Sequence, residues 1–192
     1  MERTWLLTWT TYGTWLPGDR RGFVSNVADP VGVAVRHNQY RAPCDRDLPL
    51  LRQFAEERLV HDAVWLSAEQ GTAVLDQFQQ TARYHGWTMR ACAVMPNNAH
   101  LVVGVNVDPS PNDMMRDFKS YGSRRLNREF GRRERWWTES GSTRKLPDDR
   151  AVQAAMSYVQ RQPGALAVFI ESGASGERPA SGERPPSGER PP

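Results

Sequence analysis

The order of segments along the chain predicts an α+β protein with a ferredoxin-like, split βαβ antiparallel sheet, helices on one face and an additional C-terminal helix. Three observations predict it. Two-residue alternation near the N-terminus and again around a central Pro-Asn-Asn turn marks strands, 3.6-residue apolar stripes mark helices, and the two kinds of segment follow the order strand, helix, strand, strand, helix, strand.

Trp5, Leu7 and Trp9 alternate with Thr8 and Thr10, the pattern of a strand with one buried face. Tyr12-Gly13 and Leu16-Pro17-Gly18-Asp19 break it. Residues 20–65 are punctuated by Pro and Arg with weak periodicity, apart from a short helix through Leu48 to Leu59, and read as an insertion. Ser67 and Gln70 form a capping box; Val74, Phe78 and Ala82, with Leu75, then trace a helical stripe that Gly86 can end. Trp87, Met89, Ala91, Ala93 and Met95 alternate, Pro96-Asn97-Asn98 turns the chain, and His100 to Val105 form the second arm of a hairpin. A helix over about Pro111 to Gly131 carries Met115, Phe118, Gly122 and Leu126 on one side. A short strand is expected around Trp136-Trp137-Thr138, and a last helix runs from an Asp148 or Asp149 cap to Pro163.

The folded domain therefore spans 1–170. Residues 171–192 form a disordered tail, because three copies of Ser-Gly-Glu-Arg-Pro-Pro, one ending in Ala180, supply no apolar side chain large enough to bury. The 192 residues are 39% hydrophobic, yet seven Trp, six Phe and five Tyr provide bulk for one core. Cys44 and Cys92 are the only cysteines, which excludes a disulfide framework and a four-cysteine zinc site. No signal-peptide h-region and no apolar run near the roughly 18 residues of a membrane span occur, so a soluble, cytoplasmic protein without a membrane partner is expected.

Three constellations could carry chemistry. Asn98 and His100 lie two apart on a strand and project together, while Leu101 and Val103 go to the opposite face; a divalent ion could sit between them, although a lone strand histidine is more often a hydrogen-bonded residue. Tyr158 and Gln162, one helical turn apart, share a face with the small Ala151 and Ala155, whereas Val152, Met156 and Val159 form the anchoring stripe. The plain alternative is a tyrosine packed at the core's edge. Finally, Arg116, Lys119, Arg124, Arg125, Arg128, Arg132, Arg133 and Arg135 outnumber Asp113, Asp117, Glu129 and Glu134 by eight to four beside Trp136 and Trp137, a composition suited to phosphates and bases, though charge runs are usually solvated helix faces. Tyr121 is a rival phenol without a Gln or His four residues on, and His37, His61 and His85 lack ligand spacing.

Taken together, these motifs resemble the single-tyrosine transposases of the HUH (His-hydrophobic-His) superfamily, including the REP-associated ones. Met95-Pro96-Asn97-Asn98-Ala99-His100-Leu101 is similar to their Met-Pro-Asn-His-x-His-Leu segment, Phe118 to Asn127 to their basic helix, Trp136 to Arg144 to the following strand and loop, and Tyr158-x-x-x-Gln162 to their catalytic helix. The likeness covers about Arg3 to Gln162, with one departure: Asn98 stands where the family has its first metal-binding histidine.

The resemblance implies a ferredoxin-like fold, Tyr158 as nucleophile, and Mg²⁺ or Mn²⁺ held by His100, Gln162 and Asn98. An amide oxygen is a weak neutral ligand for such a hard ion. It further implies nicking and rejoining of single-stranded DNA at hairpin-forming ends through a 5′-phosphotyrosine, with Lys119, Arg124, Arg125 and Arg128 as DNA-binding candidates. A tyrosine hydroxyl ordinarily titrates near 10, so attack on a phosphodiester calls for a metal to polarise the phosphate. The family leaves monomer and homodimer both open. A DNA-binding remnant is the alternative of another class, and an RNA-binding module is disfavoured by the absence of its aromatic strand motif.

Overall fold

The computed structural model describes residues 2–20, 26–28, 34–36, 48–107 and 109–171. In chain order the elements are β1 (Arg3–Thr10), β2 (Asn26–Ala28), β3 (Ala34–Arg36), α1 (Pro49–Glu57), α2 (Ala68–His85), β4 (Thr88–Val94), β5 (Asn98–Val105), α3 (Pro111–Phe130), β6 (Ser142–Leu146), α4 (Asp149–Gln160) and β7 (Ala167–Ile170). Residues 21–25, 29–33 and 37–47 of the expected 20–65 insertion and all but the first residue of the 171–192 tail lie outside the described residues. The helix foreseen within the insertion is α1, and β2 and β3 pair with each other.

One antiparallel sheet runs β6-β1-β5-β4-β7. Its first four strands have the split βαβ order, β5 lying between β1 and β4 and antiparallel to both. Alternation sorts the side chains into two cores. On one face Trp5, Leu7, Trp9, Cys92, Val94, Leu101 and Val103 pack with Val74 and Phe78 of α2 and with Met115, Phe118 and Leu126 of α3. On the other, Leu6, Ala91, Ala93, Val102, Leu146 and Ile170 receive Val152, Ala155 and Val159 of α4. The additional helix thus covers the face that α2 and α3 leave.

The caps follow the sequence. Ser67 and Gln70 complete their box, Gly86 takes the left-handed conformation with φ 67°, and the Asp148 carboxylate accepts from Ala151 N at 2.7 Å. Gly122 is small for a reason: a Cβ there would stand 3.0 Å from Phe78 Cε1.

Several expectations are corrected. The strand that joins β1 is Ser142–Leu146, whereas Trp136-Trp137-Thr138 makes a single bridge, Thr11 to Trp137. Both indoles are buried, Trp137 Nε1 donating to Lys119 O and Trp136 Nε1 to Asn127 Oδ1, which the alternation of a half-exposed strand does not permit. The run from Trp87 to Met95 does not keep one face, because the register shifts between Met89 and Ala91; Met89 joins the α2–α3 core while Ala91 and Ala93 turn to α4. Asn98 is already in β5, opposite Thr10, so the turn is shorter than Pro96-Asn97-Asn98. Past Pro163, the chain turns at Gly164 and returns as β7, an edge strand the sequence reading did not foresee.

Candidate functional site

β5 sets the centre of the site. His100 pairs with Thr8 of β1 and Ala93 of β4 and points to the α4 face, 6% exposed. Asn98, two residues earlier, lies on the same face, and its amide nitrogen donates to His100 Nε2 at 2.7 Å. The ring proton is then on Nδ1, which donates to Thr8 Oγ1 at 2.9 Å. Thr8 is a residue that sequence reasoning missed as a partner, since its role depends on the β1–β5 register.

Burial lowers the His100 pKa from 6.5 to about 4, so the imidazole is neutral near pH 7. The unfolded chain binds a proton that the folded chain refuses; the contribution to stability is full above pH 6.5 and is lost as pH falls towards 4. On the order of 3 kcal/mol is expected to disappear across that window. Urea unfolding of wild type and His100→Gln at pH 7 and pH 4.5 checks it: the wild type should lose more stability on acidification, and equal losses would contradict the assignment.

α4 brings Tyr158 to this histidine. The rings meet edge to face, centroids 5.3 Å apart and planes at 79°. Tyr158 stands on the shoulder of the buried stripe and is 51% exposed, facing outward beside an open groove of about 760 Å³ that Ser157, Arg161 and Gln162 also line. Ala155 is part of the packed stripe with Val152 and Val159, and Ala151 packs against it, so these alanines do not form the open approach beside Tyr158 that the sequence suggested. Gln162 lies beyond the helix, which ends at Gln160, and its Nε2 donates to the Tyr158 carbonyl at 3.2 Å, leaving Oε1 as the oxygen it can offer.

The basic helix α3 lies on the opposite layer. Lys119 is drawn into the structure: its ammonium donates to the carbonyls of Thr138, Glu139 and Ser140 at 2.9, 3.1 and 2.9 Å, fixing the loop that leads to β6. Burial pushes its pKa down to about 8. Arg125 pairs with Glu129 at 2.5 Å along the helix, and that hydrogen bond holds the Glu129 carboxyl below its usual range. Arg124 lies over the Tyr121 ring at 5.2 Å and is exposed, as is Arg128. Arg124 and Arg128 are thus presented to solvent, while Lys119 and Arg125 are engaged within the protein.

Among the described residues no group of three or more His, Cys, Asp or Glu could hold a metal ion. The donors at hand are one imidazole and the carboxamides of Asn98 and Gln162. Asn98 and His100 stand 2.7 Å apart, near the ~3 Å separation of neighbouring ligands on an octahedral ion with bonds of ~2.1 Å. With the Asn98 oxygen turned to the ring side, this spacing would be compatible with two neighbouring ligands of a hard divalent cation.

The family model for IS200-like transposases matches residues 62–162, just over half of the chain, and the chain belongs to that family. Solved structures similar to it include a REP-associated tyrosine transposase bound to a REP hairpin (9% identity, TM-score 0.45, 82% of this chain and 64% of that one). A candidate transposase from Deinococcus radiodurans also matches (16% identity, TM-score 0.43, 84% of this chain and 92% of that one). The chain thus spans under two thirds of the first of these. No curated protein matches it. No helix among the described residues is long and apolar enough to cross a membrane.

Proposed function

We propose that the protein is a DNA transposase that nicks and rejoins single-stranded DNA at hairpin-forming ends through Tyr158, with Mg²⁺ or Mn²⁺ as cofactor. The observation that carries this reading is the edge-to-face contact of Tyr158 with His100 inside one chain. Family membership supports the transposase class, and the related structure bound to a REP hairpin motivates the choice of substrate.

In the proposed reaction the Tyr158 oxygen attacks a phosphodiester phosphorus. The bond from phosphorus to the 3′ oxygen breaks, that oxygen leaves as a 3′-hydroxyl after taking up a proton, and the phenol proton passes to solvent through the open groove. The 5′-phosphotyrosine keeps the phosphodiester's energy, so rejoining is the same step reversed. A divalent ion, when bound by His100 Nε2, Asn98 Oδ1 and Gln162 Oε1, would polarise the phosphate and offset charge on the leaving oxygen. Arg124 and Arg128 are the proposed phosphate contacts; Lys119 and Arg125 contribute through the loop and the helix that they hold. The contact of Tyr158 with His100 within one chain supports a reaction carried out by a single chain.

One observation favours a second reading, a hairpin-binding remnant: the Asn98 amide nitrogen occupies His100 Nε2, the lone pair a metal would need. Labelled hairpin-bearing single strands incubated with Mg²⁺ or Mn²⁺ separate the two. The transposase reading expects a covalent protein–DNA adduct on a denaturing gel that Tyr158→Phe abolishes. No adduct with either metal, regained in Asn98→His, establishes the remnant; none in either protein defeats the enzyme reading.

A further inference from the structure

Trp65 is an exposed aromatic that the proposed reaction leaves unused. It is 62% exposed, yet its backbone is held on both sides: Val64 N donates to Tyr12 O at 2.8 Å, the Val64 carbonyl accepts from Thr11 Oγ1 at 2.6 Å, and Leu66 N donates to Pro96 O at 2.7 Å. Val64 and Leu66 point into the core, so the indole between them is presented outward on a fixed frame. Pro96 belongs to the turn that leads into β5, the strand of Asn98 and His100.

Opposite it the chain leaves α3 at Gly131. Trp65, Gln70, Phe130, Arg132, Arg133 and the buried Trp136 line a pocket of about 420 Å³, within the range of sites that accept a small planar ligand. Phe130 is 38% exposed. Arg133 is anchored, its Nη2 donating to Asp62 O at 2.5 Å and its guanidinium lying 5.8 Å over Trp136. His61 and Glu134, 3.0 Å apart, tie the same two segments together. Arg132 is exposed and makes no ion pair among the described residues.

An exposed Trp and Phe represent apolar surface left in water, which a rigid frame maintains at a cost unless something covers it. An indole with a partner ring supplies a stacking platform, and an unpaired guanidinium at the rim supplies a phosphate contact. We infer that this pocket binds an unpaired nucleobase of single-stranded DNA, stacked on Trp65, with Arg132 on the adjoining phosphate. The inference deepens the proposed function and rests on it for the choice of DNA.

The test uses the full chain and a labelled, unstructured oligothymidylate, with binding measured by anisotropy over a salt series. Trp65→Ala should weaken binding about 10-fold with an unchanged salt slope, because stacking releases no counterions. Trp65→Phe should recover most of the loss. Arg132→Gln should weaken binding and lower the slope by about 0.7, one phosphate contact on a single strand. Wild-type affinity in Trp65→Ala at an unaltered melting temperature overturns the inference, as does tighter binding to oligouridylate than to DNA. The adduct assay remains separate: loss of binding in Trp65→Ala without any wild-type adduct upholds the pocket and defeats the enzyme, while an adduct with no Trp65 effect does the reverse.

Discussion

Asn98→His should form the tyrosyl–DNA adduct at least about 10-fold faster than the wild type at equal Mn²⁺ or Mg²⁺. In the wild-type chain the residue beside His100 offers either an amide nitrogen, which occupies His100 Nε2 at 2.7 Å, or a neutral amide oxygen. A second imidazole would release the first and add a nitrogen donor that transition-series ions bind more tightly than an amide. Changes even one shell away from a metal shift affinity 10- to 100-fold, so a ligand exchange should do no less. The side chain projects on the α4 face from a strand position opposite Thr10 and is only half buried, so the larger ring has room. The gain should be greater with Mn²⁺ than with Mg²⁺. An equal or lower adduct rate with both metals would show that Asn98 does not limit the site.

The second large effect concerns stability. Phe78→Ala is expected to destabilise the domain by about 3–5 kcal/mol, read from urea or guanidinium unfolding. Phe78 is fully buried and touches Trp9, Phe118 and Trp137, with centroids at 5.5, 5.6 and 6.3 Å. It joins α2, α3, β1 and the Trp136–Trp137 loop in one cluster, and Gly122 leaves little slack beside it. A loss below about 1.5 kcal/mol would mean that the cluster relaxes into the space and that Phe78 is not its centre.

The elements with strong local signals could be read directly from the sequence. The capping box at Ser67, the left-handed Gly86, the Asp148 cap and the stripe Met115, Phe118, Gly122, Leu126 each occupy the expected place, because caps and helical stripes are set by neighbours within one or two turns. What escaped depends on partners far along the chain. The bulge in β4 is invisible in a run whose two-residue alternation looks unbroken. Two buried indoles drew the sixth strand to 136–138, when the pairing with β1 is made by the polar Ser142–Leu146. At the candidate site, the same-face projection of Asn98 and His100 followed from strand geometry, and Tyr158 from the family resemblance. The Thr8 hydroxyl, the detachment of Gln162 from the helix and the internal bonds of Lys119 required the register and the loop to be known.

That irregularity in β4 has a mechanical consequence for the phenol. By placing Ala91 and Ala93 beneath α4 and sending Cys92 and Val94 the other way, it gives the last helix a low floor on which to settle. The extra residue falls between Met89 and Ala91, so the two alanines stay under the helix while Met89 still reaches the opposite core. The seat of the helix that carries Tyr158 to His100 is thus shaped by a strand that supplies neither ring.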